Sequence, residues 1–268
     1  MKLNDSSYAT IDLIGLCNLK CSFCYNRYGQ TERSEYHTMH FKKFIKFFKF
    51  VELLEKYKIN EVRISGSSTD PLLYKYINEL VDYFLNSEYK VGMNTNAREV
   101  TKHIDLINKL TGGISYSCPS LTKTGYYKIT EVNSLPNWDI ILNLTPKCRI
   151  AIVANKNNMI EILDMIKFFI KFESVDHVQI CREYHFDDKY KSVRCIPNYK
   201  NGDDPYLHLL NYFEHTYYEK PEYFGVRVFD MNRKEIHFWD SAKRNMRSIW
   251  YSPHGKILLS PSLQKNHE

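Results

Sequence analysis

The sequence predicts an α/β protein, an incomplete TIM-like (β/α)6 barrel with a short C-terminal β-rich extension. Short apolar runs with strand spacing alternate with longer stretches of helical periodicity, the pattern of a parallel sheet flanked by helices. Polar residues or a cysteine close each predicted strand, and the carboxyl ends of parallel strands are where such folds place their chemistry. A chain of 268 residues can bury the core that one such barrel needs.

Ala9 to Gly15 is the first strand and runs directly into three closely spaced cysteines. Thr38 is placed to cap a helix over 41–58, with Phe41, Phe44, Ile45, Phe48, Val51 and Leu54 at helical spacing. Glu61 to Ile64 is the second strand. The polar turn Ser65-Gly66-Ser67-Ser68-Thr69-Asp70 follows it, and Pro71 opens a helix to about Leu85. Lys90 to Met93 is the third strand, ending in Asn94-Thr95-Asn96 ahead of a helix from Val100 to Leu110. Gly113 to Ser117 is the fourth and ends at Cys118-Pro119. Arg149 to Ala154 is the fifth, ending at Asn155 before a helix from Met159 to Phe172, and His177 to Cys181 is the sixth, ending at Arg182.

Residues 1–182 are therefore expected to form the core barrel. Residues 183–268 supply an irregular connection from Glu183 to Pro205 with an Asn201-Gly202 turn, then a helix from Tyr206 to Tyr218. Strands at Val226 to Phe229 and Glu235 to Trp239 precede a hairpin of Ile249 to Ser252 with Lys256 to Leu259, turned at Pro253-His254-Gly255. This tail either extends the sheet or covers the barrel mouth.

With 43% hydrophobic and 25% charged residues the composition is that of a folded globular protein and excludes disorder as the ground state. The net charge of +6 is small for the length and permits an acidic partner without identifying one. Lys42, Lys43, Lys46, Lys49, Lys56 and Lys58 outnumber Glu52 and Glu55 in one stretch, and a solvated helix face explains them better than a nucleic-acid patch. The 21 tyrosines and 15 phenylalanines fall at helix and strand spacing, which fits core packing better than base stacking. Met1 to Asp12 lack the basic start and apolar core of a signal peptide, and no apolar run is long enough to span a bilayer. A cytoplasmic protein without membrane contact is expected. In that reducing compartment seven cysteines point to metal binding or catalysis before disulfides.

Three of them form a C-x3-C-x2-C pattern in Gly15-Leu16-Cys17-Asn18-Leu19-Lys20-Cys21-Ser22-Phe23-Cys24-Tyr25-Asn26, on the loop after the first strand. Three thiolates on one short loop can wrap one face of a cubane cluster, each on a different iron, and leave the fourth iron open. An open coordination position separates a catalytic metal centre from a closed structural one. The competing explanations are zinc and coincidence. Structural zinc takes four ligands, usually as two pairs, and the nearby His37 and His40 offer no matching second pair.

The spacing, Phe23 just before the third cysteine, and Cys17-Asn18-Leu19-Lys20-Cys21 after a first strand together resemble the radical SAM superfamily over about residues 9–182. The resemblance implies a [4Fe-4S] cluster on Cys17, Cys21 and Cys24 whose open iron binds the amino and carboxylate groups of S-adenosylmethionine (SAM). One electron from the reduced cluster then cleaves the sulfonium, giving methionine and a 5'-deoxyadenosyl radical that removes hydrogen from an unreactive C–H bond. In such an enzyme the cofactors carry the hard chemistry and the protein positions them. An electron donor such as flavodoxin or ferredoxin is implied, and both are acidic, which suits Lys20 beside the cluster loop.

The superfamily usually carries a Gly-Gly-Glu-Pro turn after the second strand to hold the methionine ammonium. This chain has Ser67-Ser68-Thr69-Asp70-Pro71 there, so the resemblance transfers SAM binding to Ser67, Ser68, Thr69 and Asp70, with an ordinary capping turn as the alternative. Asn94 and Asn96 suit hydrogen bonds to SAM or substrate, or equally a strand-end turn. Ser115 and Ser117 share one face of the fourth strand, where the family often contacts the ribose. Asn155 stands where adenosine contacts are common, and the planar fork of Arg182 matches the SAM carboxylate. Cys118 and Cys181, at strand ends, are candidate hydrogen-atom donors to a product radical, with inert buried cysteine as the alternative. Cys118, Cys148, Cys181 and Cys195 repeat no close ligand spacing and no cysteine follows Cys195, so a minimal single-cluster enzyme is expected. Its substrate is a peptide, protein or small molecule. Modification of a nucleotide or tRNA, for which the basic balance is mild support, is the alternative within the class, and a non-enzymatic iron–sulfur or zinc module is the alternative outside it.

Overall fold

A computed structural model describes residues 8–24, 34–186, 194–195, 203–223, 225–240, 248–260 and 263. The first seven residues, Tyr25-Asn26, the Asn201-Gly202 turn and residues 187–193 of the long connection lie outside the described residues. In chain order the strands are β1 (Tyr8–Leu13), β2 (Glu61–Gly66), β3 (Lys90–Thr95), β4 (Ile114–Ser117), β5 (Cys148–Ala154), β6 (Val175–Arg182), β7 (His185–Phe186), β8 (Arg194–Cys195), β9 (Tyr218–Tyr223), β10 (Val226–Met231), β11 (Lys234–Trp239), β12 (Ser248–Tyr251) and β13 (Ile257–Leu259). The α-helices are α1 (Phe47–Lys56), α2 (Ile77–Asn86), α3 (Ile104–Asn108), α4 (Lys123–Thr130), α5 (Trp138–Leu144), α6 (Ile162–Phe169) and α7 (Pro205–Thr216). The predicted class, α/β with a largely parallel sheet that does not close on itself, is borne out. The chain divides into two compact units, Met1–Asn18 with Gly29–Ser115 and Asn245–Glu268, and Leu19–Tyr28 with Tyr116–Arg244.

In the first unit β1 pairs in parallel with β2, and β2 with β3. Ala9 to Leu13 are buried in succession, as befits a parallel strand covered on both faces. The C-terminal β12 pairs in parallel with the other side of β1, and β13 runs antiparallel to β12. Of the two alternatives for the tail, this part extends the sheet. Its turn needs Gly255, whose φ of 85° lies in the left-handed region.

The expected helix over 41–58 is broken, and the tail explains why. Ile45 N–H donates to the Pro253 carbonyl (3.0 Å) and the Tyr251 hydroxyl donates to the Ile45 carbonyl (3.0 Å), so both backbone groups of Ile45 are claimed by the β12–β13 hairpin. A 3-10 turn covers Phe41–Lys43, Lys46 takes a left-handed φ of 60°, and α1 begins only at Phe47. His40 caps the first turn by accepting from Lys42 N–H, whereas Thr38 donates its hydroxyl to the Glu35 carbonyl. Phe50 of α1 then stacks on Tyr251 at 4.7 Å. Similar breaks shorten the next two helices. Pro71–Leu73 and Val100–Lys102 are 3-10 turns, followed by α2 and α3.

In the second unit β5 pairs in parallel with β6, and β6 in parallel with β11. Antiparallel β10 and β9 complete that run of strands. The tail therefore extends this sheet too. Strand β9 escapes sequence reading because Pro221 interrupts its pattern, which an edge strand tolerates. Helices α4 and α5 are also unforeseen. Gly125 and the β-branched residues of α4 weaken its helical signal, yet Thr122 caps it at Gly125 N–H (3.1 Å) and Asn137 caps α5 at Ile140 N–H (3.2 Å). Phe213 of α7 packs edge-on against Phe229 and Phe238, covering the face of β10 and β11 with aromatic side chains. No helix among the described residues is long and apolar enough to cross a membrane.

Candidate active site

In the first unit the carboxyl ends of β1, β2 and β3 converge on the loop that carries Cys17. The turn after β2 holds this loop from below. Gly66 lets that turn close tightly, since a Cβ there would lie 1.9 Å from the Thr69 carbonyl oxygen. Ser67 N–H donates to Leu13 (2.8 Å), Ser68 Oγ accepts from Gly15 N–H (3.4 Å), and Thr69 Oγ1 donates to the Leu16 carbonyl (3.1 Å). His37 Nε2 stands 2.7 Å from the same Thr69 hydroxyl. With that hydroxyl donating to Leu16, His37 is the donor to it, a role that an Nε2–H fills, and burial lowers the imidazole pKa. The ring lies against Gly15, where any Cβ would come within 1.7 Å of it.

Asp70 has turned inward. It is 2% exposed, and its Oδ1 caps the following turn by accepting from Leu72 N–H (3.0 Å) while Oδ2 accepts from Asn96 N–H (2.6 Å). The Thr95 hydroxyl reaches both oxygens at 2.9 and 2.8 Å. Burial pushes the Asp70 carboxyl up to about 6 despite these hydrogen bonds. The capping alternative thus describes what this carboxylate does, and it also ties the end of β2 to the end of β3. Asn96 continues the network. Its Nδ2 donates to Asn18 Oδ1 (2.8 Å) and approaches Cys17 Sγ at 3.8 Å, and Asn18 Nδ2 donates to Glu99 Oε1 (3.2 Å). Sequence reading left Asn18, His37, Thr95 and Glu99 without roles. Only Asn18, inside the cysteine motif, carried a usable signal.

In the second unit the segment with Cys21 and Cys24 is anchored on the end of α4. Lys20 N–H donates to the Thr130 carbonyl (3.0 Å) and Ser22 N–H to the Ile129 carbonyl (2.8 Å), both near a helix end that otherwise leaves carbonyls unsatisfied. Cys24 N–H donates to the Cys21 carbonyl (3.0 Å), which turns the chain and leaves Phe23 half-buried in the bend. All three cysteines of the motif are half-buried. Among the described residues no three His, Cys, Asp or Glu side chains are gathered into a preformed metal cage. The donor set nonetheless fits an iron–sulfur group. Three thiols lie on one polar loop, and the N–H aimed at Cys17 Sγ is the contact that a thiolate ligand accepts.

The remaining predicted residues fall into two groups. Ser115 is buried and Ser117 half-buried on one face of β4, while Tyr116 between them packs on Trp138 of α5. Asn94 is half-buried at the end of β3. The second group is Asn155, Cys118 and Cys181. Asn155 donates to the Val153 carbonyl and accepts from Asn157 N–H, shaping the loop after β5 together with the buried Asn158. Cys118 is fully buried, donates to the Ser120 carbonyl, and has its thiol pKa raised by burial. Cys181 accepts from Gln179 Nε2 (3.0 Å), and burial raises its pKa as well.

Arg182 spends its fork on two aspartates. Nε and Nη2 reach Asp204 Oδ2 at 3.0 and 2.7 Å, and Nη1 reaches Asp240 Oδ2 at 3.1 Å. Tyr184 donates to the other oxygen of Asp240. Asp204 meanwhile caps α7. Arg182→Ala would leave two nearly buried carboxylates facing each other without their cation, and we expect it to lower unfolding stability by about 2 kcal/mol, a buried-pair loss reduced for partial exposure. Denaturant titration of the variant measures it. An unchanged midpoint would show that the aspartates find other partners.

A loop with three cysteines at the carboxyl end of the first strand of a largely parallel α/β sheet is an arrangement that suits a metallocofactor enzyme. The family model of the radical SAM superfamily matches residues 11–168, more than half the chain, and the protein belongs to that superfamily. Membership supports SAM and an iron–sulfur cluster as its cofactors and sets aside the non-enzymatic module. Among solved structures it is similar to SuiB of Streptococcus suis, with a TM-score of 0.64 and 14% identity over 98% of this chain and 62% of SuiB. SuiB bound to its precursor peptide SuiA matches with a TM-score of 0.63 and 15% identity over 94% of this chain and 58% of that one. The chain thus spans less than two thirds of the SuiB length, and at these identities the likeness shows the fold. A search of curated protein sequences finds no match.

Proposed function

We propose that this protein is a cytoplasmic radical SAM enzyme with a [4Fe-4S] cluster on Cys17, Cys21 and Cys24, acting on a peptide. When bound, such a cluster supplies the single electron that cleaves SAM, so that a 5'-deoxyadenosyl radical can take hydrogen from a substrate C–H bond. The observation that carries the reading is the C-x3-C-x2-C loop inside the family-matched span, with Cys17 Sγ facing a fixed amide N–H.

The chain's own residues do the positioning. Ser67, Ser68 and Thr69 hold the peptide before Cys17, and the end of α4 holds the peptide around Cys21. Phe23, Ser67, Ser68, Thr69, Asp70, Asn94, Asn96, Ser115, Ser117, Asn155 and Arg182 are the proposed SAM contacts. Cys118 and Cys181 are the proposed hydrogen-atom donors, because burial keeps each thiol protonated and an S–H bond is what such a step needs. Residues 1–182 are proposed as the catalytic core and 183–268 as its extension. The peptide substrate is supported by the likeness to SuiB, solved with a precursor peptide. An acidic flavodoxin or ferredoxin is the proposed electron donor, to which exposed Lys20, ion-paired with exposed Glu131 at 3.7 Å, would turn its positive charge.

Anaerobic reconstitution with iron and sulfide, followed by a reductant and SAM, is expected to yield 5'-deoxyadenosine. A verified [4Fe-4S] centre that forms none would sink the reading.

A further inference from the structure

We propose that Asn96 is a positioning residue that donates a hydrogen bond to Cys17 Sγ and thereby raises the reduction potential of the cluster. The inference rests on the cluster assignment above and adds to it a residue outside the cysteine motif. A side-chain amide has a donor end and an acceptor end, and which end faces a sulfur must be deduced from its partners. Here both neighbours settle it. Asn96 Oδ1 accepts from the backbone N–H of Arg98 at 3.1 Å, and a backbone N–H can only donate, so Nδ2 is the end that faces Cys17. Farther along, Asn18 Nδ2 donates to the Glu99 carboxylate at 3.2 Å, so Asn18 Oδ1 must be the atom facing Asn96. Lys102 hydrogen-bonds Glu99 at 2.7 Å and holds its pKa down, which keeps that carboxylate an acceptor.

The amide nitrogen of Asn96 therefore has one hydrogen for Asn18 Oδ1 at 2.8 Å and a second for Cys17 Sγ at 3.8 Å. Its backbone is pinned as well, by the N–H bond to Asp70 Oδ2. The Asn96 side chain cannot turn away without breaking two other hydrogen bonds. An N–H dipole aimed at a cysteine ligand favours the more negative, reduced state of an iron–sulfur cluster, and hydrogen bonds to the sulfurs are among the features that set its potential.

The test uses the anaerobically reconstituted enzyme and two variants. Asn96→Ala removes the donor. Asn96→Ser keeps an oxygen for Arg98 N–H, as Ser does in turns of this kind, but is too short to reach Cys17. In an EPR-monitored redox titration both are expected to shift the midpoint to more negative potential, and pulsed EPR in deuterated buffer is expected to lose one exchangeable proton coupling present in the wild type. If wild type and either variant carry the same cluster content, midpoint and proton couplings, this inference is overturned while the cluster assignment stands. If the wild type assembles no [4Fe-4S] centre, the assignment itself falls and takes the inference with it.

Discussion

Replacing Cys17, Cys21 or Cys24 by alanine, one at a time, is expected to abolish formation of 5'-deoxyadenosine and to remove most of the bound iron. The expectation follows from the economy of the loop. In the proposed cluster each of the three thiolates would hold one iron, so removing one would leave that iron without its protein ligand. The three positions differ in their supports. Cys17 is fixed by the turn after β2 and by Asn96, whereas Cys21 and Cys24 depend on the end of α4. Iron content and absorbance of each reconstituted variant, beside the product assay, separate loss of the cluster from loss of chemistry. Full activity in any one variant would refute that residue as a ligand.

Asp70→Ala is expected to destabilise the protein by about 4 kcal/mol at neutral pH. The cap of the turn after β2 is lost, worth about 1 kcal/mol, and the Asn96 N–H and Thr95 hydroxyl lose a buried acceptor at roughly 1–3 kcal/mol each. The pH dependence gives a sharper check. Burial raises the Asp70 pKa from 3.8 to about 6, so the folded state binds this proton more tightly than the unfolded state does. The stabilisation from the protonated form is therefore complete below about pH 4 and is lost as pH rises through about 6, a change of about 3 kcal/mol for a shift of about two units. The stability gap between wild type and Asp70→Ala should accordingly widen from pH 7 to pH 4 in denaturant titrations. A gap that narrows toward acid would mean that hydrogen bonding, not burial, governs this carboxyl.

The two sets of residues differ in how far the sequence could expose them. The cysteine motif is local, and Cys17, Cys21 and Cys24 are separated by fixed short spacings that announce one chemistry. The strands were also legible from their apolar runs, although β2 and β3 continue two residues past the expected ends at Ile64 and Met93, to Gly66 and Thr95. The break in the helix over 41–58 was not, since it is imposed by Tyr251 and Pro253 about two hundred residues later in the chain. Helix α4 was hidden by its own weak propensity, although its end carries the anchor for Cys21.

By itself the sequence determined the fold class, the cysteine set and the family resemblance that points to the cofactors, because each follows from spacing along the chain. Only the tertiary structure decided which partners the polar side chains meet. Asp70, Asn155 and Arg182 are strand-end candidates by sequence, and folding gives each of them partners that lie far off or unannounced in the chain. A hydrogen bond is made by whichever group folding brings within about 3 Å. For Asn96 those groups are Asn18 and Cys17, nearly eighty residues earlier, and no local pattern records that meeting.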